Sequence, residues 1–193
     1  MLDAWDLARD ETAGLSCKAF GVGAIMRMPG RLRISWQDGM TLKLEFDAGA
    51  QTRLLQFDSS PPPAEPTWQG HSIAQWEVAG QPIDLAAPAP GPGRGAPPGA
   101  GRGGSLKAVT TGMREGYLRK NGVPYSASAV VTEYFDRVEY PNGDIVLLVR
   151  TVVDDARYLQ QPFITSTHFK LEADGSKWTP TPCKIDPPTA RIE

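Results

Sequence analysis

The chain has 193 residues, 40% of them hydrophobic, and 20 Lys and Arg against 22 Asp and Glu give a formal net charge of −2. That length fits one domain (1–193) with a real core. Scattered, balanced charge argues against nucleic-acid binding, which needs a concentrated basic face. No apolar run approaches the roughly 20 residues that cross a bilayer, so membrane insertion is not expected.

The first residues, "MLDAWDLARDE", lack the charged start and apolar stretch of a signal peptide. As it stands this reads as cytoplasmic, unless a leader has been removed. Next comes "FGVGAIMRMPG" (20–30), whose glycines lead into a strand and not a helix, so it cradles no phosphate. No nucleophile elbow or Walker loop follows anywhere.

Alternation then dominates and helical periodicity is nearly absent. Strands are expected at 31–37, 41–47, 51–57, 71–78, 105–113, 129–140, 144–153 and 163–172, with turn chemistry at Asp38-Gly39, Ala48-Gly49 and Asn142-Gly143. In the first strands Leu32, Ile34 and Trp36, then Leu42, Leu44 and Phe46, alternate with charged or small polar residues, the signature of half-buried strands. About eight sequential strands with short turns predict an all-β fold, an antiparallel up-and-down β-barrel whose closure removes its edges. Between the fourth and fifth strands, 81–105 is mostly Pro, Gly and Ala. It has too little to bury to offset its ordering entropy, and reads as an inserted loop.

The segment "EYPNGDI" (139–145) sets a register. Pro141 cannot donate a ladder hydrogen bond, so a type I turn with Gly143 left-handed is expected, not a two-residue hairpin. Tyr140 then faces Asp144, Asp136 faces Leu148 and Tyr134 faces Arg150. One face of this hairpin carries Tyr134, Asp136 and Arg150 among apolar neighbours and is expected to line the lumen. The other carries Glu133, Arg137 and Glu139 and is expected outside. Inside a barrel, the Tyr134–Asp136–Arg150 cluster would either form a structural ion pair or serve catalysis.

Histidines are scarce. His168, in "FITSTHFKLE", alternates away from Phe163, Thr165, Thr167 and Phe169 and is expected to point outward. It can contribute to chemistry only if strand geometry brings it to the same pocket mouth. His71 lies opposite the Trp68/Trp76 face of its strand. Two histidines on separate strands without cysteine or carboxylate at ligand spacing do not form a metal site. Cys17 and Cys183 are too far apart for a CxxC motif. They either form one bridge closing the whole domain or are two unrelated thiols.

The segments "TWQGHSIAQWE", "LKAVTTGMREGYLRKNGVPYSASAVVTEYF" and "YLQQPFITSTHF" resemble a family of exported bacterial proteins of uncharacterised activity, frequent in acidobacterial and proteobacterial genomes. The resemblance spans most of 67–183. It implies a mature periplasmic or secreted domain, which in turn favours the Cys17–Cys183 bridge. It supplies no catalytic residues. The meander also resembles the lipocalin-like, or calycin, architecture, which implies a pocket for one apolar small molecule.

The expected function is a small barrel that takes up an apolar or aromatic small molecule and acts on it by cofactor-independent proton transfer, of lyase, isomerase or hydrolase type. Tyr134 or His168 would be acid or base, Asp136 would orient or deprotonate, and Arg150 would steady an oxyanion. Trp36, Phe46, Trp76, Tyr117 and His71 would contact the substrate. The alternative is a non-catalytic periplasmic carrier.

Overall fold

The computed structural model describes residues 6–78, 104–119 and 122–184. They form a short helix α1 (Leu7–Thr12) and ten strands: β1 (Leu32–Trp36), β2 (Thr41–Phe46), β3 (Gln51–Gln56), β4 (His71–Val78), β5 (Gly104–Thr111), β6 (Gly116–Tyr117), β7 (Pro124–Tyr125), β8 (Val130–Glu139), β9 (Ile145–Asp154) and β10 (Phe163–Lys170). Eight of them make one sheet in the order β1-β2-β3-β4-β5-β8-β9-β10, and β6 pairs with β7. All eight expected strands are present. The 81–105 insertion lies outside the described residues except for Gly104 and Ser105, which open β5.

Two features depart from an up-and-down barrel. The sheet curls into a half-barrel and stays open, because β1 and β10 do not pair. Also, β3 and β4 run parallel, with Leu55 beside Ser72 and Gln56 beside Ile73. The connection explains the second feature. Pro61, Pro62, Pro63 and Pro66 cannot fold into a tight hairpin, so the chain crosses over and re-enters in the same direction.

Closure is replaced by a plug. The 3-10 turns Ser16–Phe20 and Ile25–Arg27 lay Phe20, Ile25, Met26 and Met28 against Leu44, Leu55, Ala74 and Ala108 on the concave face. These are apolar residues without strand or helix periodicity, so they fill the interior as irregular chain. A second cluster joins Val22, Met113, Leu118, Tyr125, Val131 and Val153. The C-terminal segment straps the plug in place. Thr181 N donates to Asp47 O at 2.8 Å, and Cys183 is bonded to Cys17 with Cα atoms 5.0 Å apart.

The glycines of "FGVGAIM" serve close packing. Tyr125 is fully buried, and its ring lies against Gly21, Gly23 and Gly116. A Cβ on Gly23 would sit 2.8 Å from Tyr125 Cε1, whereas one on Gly21 would strike Tyr125 Oη. Burial holds that phenol's pKa well above its usual value. Gly21→Ala and Gly23→Ala should each destabilise the protein by about 1–3 kcal/mol, the cost of overpacking. Adding Tyr125→Phe should relieve the first and not the second, which a double-mutant cycle of thermal melts would resolve.

The β8–β9 turn has the expected form. Tyr140 N donates to Asp144 O at 2.8 Å, Gly143 N donates to Tyr140 O at 2.9 Å, and Gly143 has φ 84°. Asp136 pairs with Leu148 and Tyr134 with Arg150, in the expected register.

Candidate functional site

β1 is an edge strand with a neighbour on one side only. Its register puts Trp36 opposite Leu42, which faces Leu55, so Trp36 shares the core-facing side of the sheet. With no strand closing the barrel there, Ile34 and Trp36 remain 42% and 47% exposed. Both residues are thus on the expected face, but that face is uncovered at its edge.

Trp76, on β4 opposite Leu106, is 45% exposed. Phe57, just after β3, is buried between them, its ring centroid 5.3 Å from Trp36 and 6.1 Å from Trp76. Two other tryptophans are treated differently by the fold. Arg114 stacks on Trp68 and Arg33 on Trp178, each at 4.1 Å from the ring centroid. Among the described residues no cation stacks on Trp36 or Trp76. Two half-exposed indoles around a buried phenyl ring form a surface suited to a flat apolar or aromatic body.

The hairpin cluster lies on the other side. Val149, Thr151 and Val153 are buried and Arg150 is exposed, so the faces of β8 and β9 are the reverse of those expected. Tyr134, Asp136 and Arg150 occupy the outward face and not the lumen. Tyr134 and Arg150 engage each other, and Asp136 and Tyr134 engage β5: Arg150 stacks on Tyr134 at 4.7 Å, Ser105 Oγ donates to Asp136 Oδ1, and Lys107 lies 5.7 Å from the Tyr134 ring. Lys107 Nζ is also 3.0 Å from Glu77 Oε1, and that bond raises its pKa.

The reversal has an electrostatic cause. Glu133, expected outside, is fully buried and meets Arg53 Nη1 at 2.5 Å. Arg53 Nη2 donates to Thr110 Oγ1 at 2.7 Å and Nε to Ser72 Oγ at 3.1 Å, while Thr151 Oγ1 donates to Glu133 Oε1 at 3.5 Å. Five strands thus supply one buried polar network, and its opposite charges satisfy each other. Each charge sits in an otherwise apolar row, Arg53-Leu55-Phe57 and Val131-Glu133-Phe135, which is the sequence signal that marks them. With side chains 1% and 0% exposed, the pair is closed to a ligand.

The remaining candidates disperse. Phe46 is plain core. Tyr117 is buried and donates to Asp10 Oδ2 at 2.6 Å under Lys18, whose Nζ is 4.6 Å from the ring centroid. Burial, then that bond, raises its pKa. Together with Cys183 these residues edge a cavity of about 50 Å³, room for little more than water. His168 is exposed on the outward face, as expected, and His71 is half-buried at the start of β4. Among the described residues no three His, Cys, Asp or Glu side chains converge as a metal set.

Comparison with family models, with curated proteins and with solved structures gave no match.

Proposed function

We propose that this half-barrel is a non-catalytic binder of an uncharged apolar or aromatic small molecule, held by Trp36 and Trp76 over Phe57. The carrying observation is that pair of half-exposed indoles on the core-facing side, both in contact with one buried ring. The catalytic reading is weaker, because Tyr134, Asp136, Arg150 and His168 face away from this surface. The acid and base on its own side, Glu133 and Arg53, are sealed and neutralise each other. A periplasmic or secreted location accords with the Cys17–Cys183 bridge, which persists in oxidising compartments.

A neutral fluorophore such as N-phenyl-1-naphthylamine should bind saturably at one site. Trp36→Ala or Trp76→Ala should each weaken it roughly tenfold, equivalent to about 1.4 kcal/mol and within what one aromatic contact supplies. Equal affinity in wild type and both variants would refute the assignment.

A further inference from the structure

A second ring carries two like charges. Phe163 begins β10, and the guanidinium carbons of Arg27 and Arg119 lie 4.9 and 5.5 Å from its ring centroid. Arg27 comes from the plug and is anchored there: Nη2 donates to Gly23 O at 2.8 Å and to Leu118 O. Arg119 is exposed, just beyond β6.

Among the described residues neither guanidinium makes an ion pair with a carboxylate. Burial and the charge of Arg119 lower the Arg27 pKa to about 10. Arg27 is partly buried, the exposed Arg119 adds a second positive charge at the same ring, and an anion bound there would offset both. Phe163 also borders an open depression of about 560 Å³, with Tyr158, Leu159, Gln160, Gln161 and Pro162. Glu115, which reaches this region, accepts from Tyr158 Oη at 3.2 Å.

We propose that Arg27 and Arg119 bind the carboxylate of a small aromatic acid whose ring occupies the depression beside Phe163. Guanidinium matches carboxylate geometry through paired N–H donors. Tyr158, Leu159, Pro162 and Phe163 offer apolar contact to an aromatic ring, and Gln160 and Gln161 between them are polar. This site is separate from the indole pair on β1 and β4, and takes a charged ligand where that pair takes a neutral one.

Titration of the full chain with benzoate, followed by amide NMR, tests it. Benzoate should shift Leu159, Gln160, Gln161, Phe163 and Arg119, and bind at least about tenfold more tightly than benzyl alcohol, the order expected for a charge-assisted contact. Arg119→Gln removes an exposed side chain with no carbonyl partner. It should keep the melting temperature and weaken benzoate about tenfold. Arg27 also anchors two carbonyls, so the benzoate against benzyl alcohol comparison in wild type decides the matter if a variant misfolds. Equal affinity for the two ligands, unchanged affinity in Arg119→Gln, or shifts confined to Trp36 and Trp76 would each overturn this inference. The last result would leave the neutral-ligand site standing.

Discussion

Glu133→Gln should destabilise the protein by about 3–5 kcal/mol, read as a fall in the urea midpoint at unchanged slope. The substitution keeps the shape and removes the charge, leaving the Arg53 cation buried among a neutral amide and the Ser72 and Thr110 hydroxyls. None of these neutral groups neutralises a guanidinium, and a side chain that is 1% exposed has almost no contact with bulk solvent. Against a typical total of about 5–15 kcal/mol, that loss is a large share. Arg53→Met should cost a similar amount by stranding the carboxylate. Combining Arg53→Met with Glu133→Leu should recover most of the loss, because an apolar pair of similar volume avoids desolvating two ions. A loss under about 1 kcal/mol for Glu133→Gln would show that the pair is hydrated, contrary to the packing described.

Removing the Cys17–Cys183 bridge should have a comparable effect. The two residues are 166 apart in sequence, so the bridge constrains nearly the whole unfolded chain. The chain-entropy estimate for a loop of that size is about 5 kcal/mol. Local structure adds a reason. The bridge joins the plug, which fills the concave face, to the strap that hydrogen-bonds Asp47. Reduction, or the Cys17→Ala/Cys183→Ala variant, should therefore lower the melting temperature. It should also speed amide exchange first in residues 16–28, before the sheet. An unchanged melting temperature under reductant would contradict the arrangement of plug and strap.

The strands were legible because alternation and turn residues are local signals. The Tyr140–Asp144 turn followed from one proline and one glycine, and its register was right in detail. What failed depended on residues remote in sequence. Counting charges on the β8–β9 hairpin sent Glu133 outward, because its counter-ion, Arg53, comes from β3. That one ion pair reversed the assignment of both faces and moved Tyr134, Asp136 and Arg150 out of the interior. Closure was expected because open edges are costly. Nothing in the pattern of "FGVGAIMRM" announces that irregular chain fills the barrel instead. Its glycines make sense only once the Tyr125 ring is seen against them. Trp36 and Trp76 could be singled out by type. Phe57, the ring that brings them together, could not, because the β3–β4 crossover sets that contact.

The indole Nε1–H resonances test the central claim most directly, since each tryptophan reports its own surroundings. During titration with neutral N-phenyl-1-naphthylamine, those of Trp36 and Trp76 should move together and saturate with one common dissociation constant. Those of Trp68 and Trp178, capped by Arg114 and Arg33, should stay in place. Movement of Trp68 or Trp178 with Trp36 and Trp76 silent, or no saturable shift in any of the four, would contradict a binding site on the open half-barrel.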